Sequence, residues 1–309
     1  MITQTASTAR TGEIGGYGAA VLTVLIAASY PVATRAGVTG SFAPQDLILL
    51  RFGVGALIFL PYLLWHFSAI RKDIWLQGLP LTLFQGAGMA GLVICGLQFA
   101  PASHAAALGP GASPAWVAVL GFLVFSKRPM FRTMMGAALC IAGVVTLTLC
   151  SASSVQSATV LVGDLMFLAA SALGALYVLQ LRKLGIGPIQ SAAIVTLYSA
   201  LVVVPWHFST MSDTLLHAAP KEIIWQVLWQ GVLVGCVALI ALNHAIARLG
   251  PERSSALVAF VPVLTALLAI LFLGEIPSMT EAAAILVIST GVSIGAWRSP
   301  AIDAVKIKQ

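Results

Sequence analysis

The chain has 309 residues, of which 59% are hydrophobic and only 8% charged, with a formal net charge of +6 and a mean hydropathy of +0.99. Soluble domains carry roughly a quarter charged residues, so this composition excludes a water-soluble fold and puts the apolar surface against lipid. The basic residues stand in twos and threes at the ends of apolar stretches, which makes them topology signals rather than a nucleic-acid surface.

In chain order, apolar stretches cover residues 17–36, 44–66, 74–99, 102–125, 131–150, 163–181, 188–207, 223–247, 252–273 and 279–297. Each is close to the roughly 20 residues a helix needs to cross a bilayer's hydrocarbon core. A crossing chain must also satisfy its backbone hydrogen bonds internally. The expected fold is therefore all-α and integral to the membrane, with ten transmembrane helices and no soluble domain in the short gaps. Residues 1–16, MITQTASTARTGEIGG, are polar and lack the succession of a cleaved signal peptide. They are read as an N-terminal tail, with a C-terminal tail over 298–309.

Placing the N-terminus inside puts Arg10, Arg71, Lys72, Lys127, Arg128, Arg132, Arg182, Lys183, Arg248, Arg253, Arg298, Lys306 and Lys308 on the cytoplasmic side. That is thirteen of the sixteen basic residues; Arg35 and Lys221 fall outside and Arg51 lies within a span. Cytoplasmic loops retain positive charge, so both termini are expected in the cytoplasm, at the inner membrane of a bacterial cell. Cys95, Cys140, Cys150 and Cys236 all sit within apolar spans without metal-ligand spacing, and read as small buried hydrophobes. No cofactor or metal is expected.

The chain repeats. A shift of 148 superimposes Pro114 on Pro262, Ala118 on Ala266, Leu120 on Leu268, Leu123 on Leu271, Pro129 on Pro277, and Gly143-Val144 on Gly291-Val292. A shift of 147 places Gly16, Tyr30 and Arg35 on Gly163, Tyr177 and Arg182, and one of 144 places Pro44 and Pro61 on Pro188 and Pro205. The prolines and glycines carry most of this signal, because Ala and Leu coincide often in apolar helices. Residues 17–150 and 163–297 thus form two five-helix units. Five is odd, so the second unit must enter the membrane with opposite orientation. Two such units about an in-plane axis give oppositely directed gates around a midplane site, the geometry of alternating access.

These residues resemble a known family. Ser254-Ser255-Ala256 through Pro262-Val263, then Leu273-Gly274-Glu275 and Gly291-Val292, look like the second repeat of the EamA family of the drug/metabolite transporter superfamily. Pro44 followed by Arg51-Phe52 resembles the second-helix signature of the same family. The resemblance covers nearly the whole chain and implies ten helices in two inverted repeats. It implies export or exchange of amino acids, other metabolites or toxic organic compounds, with the amino-acid exporters of the YddG type as one branch. The chain departs from the family in having Lys127 where an acid is common after the fourth helix, and Ala27 and Arg35 where Trp and Lys are common in the first. The positive-inside bias explains Lys127.

The candidate site is central. Gly109-Pro110-Gly111-Ala112-Ser113-Pro114 should kink or unwind the fourth helix, since proline removes a helix hydrogen bond and glycine favours irregular backbone. The freed groups need either protein or a watery cavity. Gln85 and Met89 lie among the glycines of the third span, and Gln85 could bond a solute or another helix. Tyr30, Trp116, Ser171, Tyr177 and Phe260 could line an amphipathic cavity, with Gly111, Ser113, Pro114, Asn243 and Pro262 completing the set; core packing is the competing role for each.

Arg51 is the one charge clearly inside a span. It could attract a solute carboxylate, but snorkelling or pairing near the surface is the favoured reading. His104 and His244 read as interfacial residues. Asp46, Asp164, Glu252, Glu275 and Glu281 all lie near span ends, so tight proton coupling has little support.

The function expected is facilitative export of small, neutral, partly apolar solutes, amino acids first and aromatic ones among them. Efflux of toxic or cationic compounds is the alternative within transport. A membrane-embedded enzyme would need acid, base or metal ligands gathered at one depth, and the histidines are scattered. The expected partners are the solute and the bilayer, without nucleic acid, and the protein is a monomer or weak homo-oligomer.

Overall fold

Prolines and glycines mark the helix boundaries. In the computed structural model, which describes residues 2–113, 115–116, 119–120, 131–152, 157–210, 213–249 and 257–296, the regular elements among the described residues are all helical. Helix α1 covers Ile2–Thr39, α2 Pro44–His66, α3 Lys72–Leu76, α4 Gly78–Gln85, α5 Ala87–Phe99 and α6 Ala102–Leu108. After α7 (Phe131–Ala152) follow α8 (Ser157–Leu184), α9 (Pro188–Ser209), α10 (Thr214–His217), α11 (Pro220–Gln226), α12 (Ala238–Leu249), α13 (Val261–Leu273) and α14 (Met279–Ala296). Proline fits the first helical turn, where its missing N–H costs nothing, and it opens α2, α9 and α11. At the start of α2 the Asp46 carboxylate also accepts the Ala43 N–H at 2.9 Å. Gly185 and Gly274, just past the ends of α8 and α13, take left-handed φ of 62° and 67°, a conformation glycine adopts without steric cost.

Six of the described helical segments are long and apolar enough to cross a membrane, and Val261–Leu273 and Met279–Gly295 are shorter apolar helices. Their outward faces carry leucine and phenylalanine, such as Leu57 at 70% exposure, Leu271 at 75% and Phe272 at 74%. Apolar side chains exposed on that scale suit lipid and not water.

Among the described residues four spans are irregular, the ninth by a turn at Ala259–Phe260. The third is divided at Gly86, where α4 ends and α5 begins, and the Ala87 N–H bonds the Ser199 hydroxyl of α9 at 3.1 Å. The eighth widens to a π-helix over Val227–Val237, with the Ala238 N–H reaching the Leu233 carbonyl; a shift of 147 carries Gly86 onto Leu233, so the two distortions correspond. The fourth breaks after Leu108 and turns through Gly109–Ala112, so its apolar stretch is not one continuous helix.

Packing follows the repeat. The strongest neighbours are α7 with α14, α1 with α12, α2 with α9 and α5 with α8. Exchanging the halves of the chain turns the α1/α12 pair into the α8/α5 pair and leaves the other two unchanged. In the α7/α14 pair Gly136 faces Gly291, Cys140 faces Ile288 and Gly143 faces Ala284. One number rises as the other falls, so these two helices run antiparallel. The main core lies among α1, α2, α5, α6, α7, α8, α13 and α14.

Candidate functional site: two helix breaks and a charged end

A turn through Gly109–Ala112 frees backbone groups at membrane depth, where each needs a partner. The Ser171 hydroxyl of α8 donates to the Gly109 carbonyl at 2.7 Å, and the Gly111 N–H reaches the Ala106 carbonyl at 3.3 Å. The chain resumes helical geometry at Ser113. In the ninth span a turn at Ala259–Phe260 precedes α13, which resumes at Val261 with Pro262 in its first turn. Ser113 and Val261 are 148 residues apart, so both breaks end at the same repeat position.

Around α8 the structure gathers four of the expected site residues. A Cβ on Gly174 would lie 3.6 Å from Met89 Sδ and 3.9 Å from Gln85 Oε1. Ser171 and Tyr177 are one turn away on either side, on the same stripe of the helix. The Tyr177 hydroxyl bonds Ser191 of α9. Neutral amides, hydroxyls and a thioether thus share this place without a charge.

The other expected residues lie apart from that group or serve packing. Gly111 is buried, and a Cβ there would lie 2.1 Å from the Ala107 carbonyl and 2.5 Å from Ile288 of α14. Gly111 is thus a close packing contact, and its enlargement would disturb the bundle. Ser113 and Trp116 are half-buried in the resumed helix, Pro262 is buried, and Phe260 is 61% exposed at the turn. Pro114 and the Asn243 side chain lie outside the described residues. Tyr30 is on α1, where the Arg51 guanidinium carbon stands 5.0 Å from its ring centroid. His244 is exposed.

One end of the bundle is charged and tied. Arg35 Nε lies 2.8 Å from Glu275 Oε1, and the same guanidinium donates to the Leu97 carbonyl. The second Glu275 oxygen accepts the Ala102 N–H at 2.9 Å. This joins α1, α5 and α6 to the end of α13. Next to it, His104 Nδ1 is 2.8 Å from Asp164 Oδ1 and His104 Nε2 is 3.5 Å from Glu281 Oε1, which ties α6 to α8 and α14. His104 is 1% exposed and Asp164 0%. A third cluster holds Asp46, fully buried, against the Thr214 hydroxyl, with His207 Nδ1 3.6 Å from its other oxygen.

His104 is expected as a satisfied residue at the start of the fourth span; it is satisfied, and the structure adds that it is buried against two acids. Its pairing was not legible, although His104 and Asp164 both stand in the first turns of the fourth and sixth apolar stretches. Gln226 and Gln230, one turn apart, were also missed. Gln226 donates to the Ala33 carbonyl at 2.9 Å and Gln230 to the Thr34 hydroxyl at 2.9 Å. Two amides at i and i+4 in an apolar stretch were the available signal. Among the described residues no group of three His, Cys, Asp or Glu could hold a metal ion.

The model of the EamA-like transporter family matches residues 14–149 and again 161–295. The chain belongs to the EamA-like transporter family. Its two matches fall on the two halves between which the irregular third and eighth spans, and the breaks of the fourth and ninth, correspond. A solved structure titled "Crystal structure of protein" is similar at 20% identity and a TM-score of 0.62, covering 92% of this chain and 97% of that one. At that identity the likeness speaks to the fold. No curated protein matches the chain. EamA membership makes the protein a multi-pass membrane transporter, and the four neutral polar residues around α8 are read in that light.

Proposed function

We propose that this protein exports small, neutral, partly apolar metabolites across a bacterial inner membrane, with amino acids, aromatic ones included, as the substrate class. Ten transmembrane helices form two five-helix repeats of opposite orientation, both termini are cytoplasmic, and transport proceeds by alternating access without an ion gradient. The observation that carries this reading is the pair of helix breaks ending at Ser113 and Val261, 148 residues apart. Matched interruptions in repeated helices are the usual frame of a central solute site. The antiparallel α7/α14 pair supports opposite orientation of the repeats, because α14 is the repeat mate of α7.

The uncharged groups gathered around α8 near the first break support this substrate class. Gln85, Ser171 and Tyr177 can exchange hydrogen bonds with a neutral solute, while Met89 offers a polarisable apolar contact. Nothing in that group favours a cation. The buried acids Asp46 and Asp164 and the half-buried Glu275 are engaged at the charged end, which supports facilitated movement down a gradient.

The test is counterflow into liposomes containing the purified protein, with a panel of labelled neutral amino acids and lipophilic organic cations. Exchange of amino acids that persists after an ionophore collapses the proton gradient is expected. Exchange of cations alone would replace this reading with toxic-compound efflux, and loss of all exchange under ionophore would place a proton on the His104 cluster.

A further inference from the structure

Arg51 stands on α2 seven residues from Pro44, about 10 Å into the helix at 1.5 Å per residue. Tyr30 stands on α1 nine residues from Thr39, about 13 Å from that end. Both depths lie within a hydrocarbon core of roughly 30 Å. A guanidinium there is costly unless neutralised.

Arg51 has no such partner. Its charge lies over two rings, with the guanidinium carbon 5.0 Å from the Tyr30 centroid and 5.6 Å from that of Phe52. Ring faces attract a cation but accept none of its N–H groups in the manner of a carboxylate. Among the described residues no acid or carbonyl accepts a hydrogen bond from it. Arg35, by contrast, has both a carboxylate and a carbonyl.

Two further groups at the same junction lack partners. Among the described residues the Tyr30 hydroxyl, which is buried, has no hydrogen-bond partner, nor has Oε1 of Gln230, fully buried on the widened eighth span. Gln230 is tied to α1 through Thr34, which itself bonds the Tyr30 carbonyl at 2.7 Å. The other half of the protein differs in two respects. Tyr177, the repeat mate of Tyr30, has its hydroxyl bonded to Ser191, and the 144-residue shift carries Arg51 onto buried Val195. The second copy of the fold thus does without the cation and the open hydroxyl at the matching positions.

We propose that Arg51 and the Tyr30 hydroxyl bind the carboxylate of the transported solute, with Gln230 Oε1 available to its ammonium. The ligand class is a zwitterionic α-amino acid. A carboxylate takes the fork of guanidinium donors in two parallel hydrogen bonds, and a phenol adds a third. This deepens the proposed substrate class and rests on it.

The experiment uses the full-length protein, purified in detergent and in phosphatidylcholine vesicles. L-phenylalanine, L-phenylalaninamide and phenylethylamine are compared by thermal stabilisation and by counterflow, in wild type, Arg51→Gln, Arg51→Lys and Tyr30→Phe. Expected are binding of phenylalanine about 10- to 100-fold tighter than of the two compounds without a carboxylate, loss of that preference in Arg51→Gln, and partial retention in Arg51→Lys. Tyr30→Phe, which keeps the ring and its cation contact, should weaken phenylalanine binding several-fold while leaving the unliganded melting point nearly unchanged.

Equal binding of phenylalanine and its amide overturns the site, as does undiminished binding in both Arg51→Gln and Tyr30→Phe. A stabilisation of wild type, but not Arg51→Gln, by phosphatidylglycerol without any response to phenylalanine would assign the anion to a lipid headgroup and also overturn it. Counterflow of amino acids that ignores the carboxylate would leave the transporter reading standing and remove only this one.

Discussion

Gly136 of α7 and Gly291 of α14 meet backbone to backbone: a Cβ at Gly136 would lie 2.6 Å from the Gly291 carbonyl oxygen, and one at Gly291 2.8 Å from the Gly136 carbonyl oxygen. Helices in lipid lack a hydrophobic drive to associate and gain from close packing between small residues. Here the two halves of the chain pack with backbone against backbone. Gly136→Val should therefore lower the melting temperature in detergent by an amount matching about 1–3 kcal/mol. Gly18→Ala, where a Cβ meets nothing within 4 Å, should be neutral or stabilising. Equal effects of the two would remove the interface from this role.

The His104–Asp164 pair makes a second prediction. Removing one partner takes a buried, charge-assisted contact from the other, at a cost of about 1–3 kcal/mol. Asp164→Leu and His104→Leu should each be strongly destabilising, and the double replacement less so than their sum by about 1–3 kcal/mol. Thermal unfolding of the four proteins closes the cycle. Strict additivity would show that the two residues do not act together.

Ser171 is the partner of the fourth-helix break. Ser171→Ala leaves the Gly109 carbonyl without its hydroxyl, which costs about 1–3 kcal/mol where water cannot replace it. Reduced stability together with slower counterflow is the expected result. Should stability fall while transport is unchanged, the break would be a packing device only. Ser171 is a cleaner probe than Gly111, whose surroundings leave no room for a side chain.

Orientation is tested by labelling. Single cysteines at Ser41 and Gly187, both exposed, should react with a membrane-impermeant thiol reagent only from the periplasmic side for Ser41 and only from the cytoplasmic side for Gly187. The thirteen basic residues assigned to one side motivate this expectation. The opposite pattern would invert the topology, and labelling of both from one side would break the ten-span reading.

Part of this protein was legible before any fold was built. The repeat could be found because Pro114 and Pro262 constrain backbone wherever they stand, and their spacing survives divergence of the leucines around them. The broken fourth helix followed from Gly109, Pro110 and Gly111 alone. Gly86 was different. Its break depends on Ser199, more than a hundred residues away, taking the Ala87 N–H, and a glycine among glycines reads as packing.

By itself the sequence determined that the chain lies in a membrane, how its charges bias the loops and that its halves repeat, because hydropathy, charge and proline spacing are local quantities summed along the chain. Tertiary structure alone decided which buried charges are satisfied. Arg35 stands at the end of the first apolar stretch and Arg51 inside the second, but sequence gives neither a partner. Folding brings Glu275 to Arg35, from 240 residues away, and among the described residues brings Arg51 the rings of Tyr30 and Phe52. The cost of burying an ion depends on what stands within a few ångströms of it in three dimensions, and no pattern along the chain carries that distance.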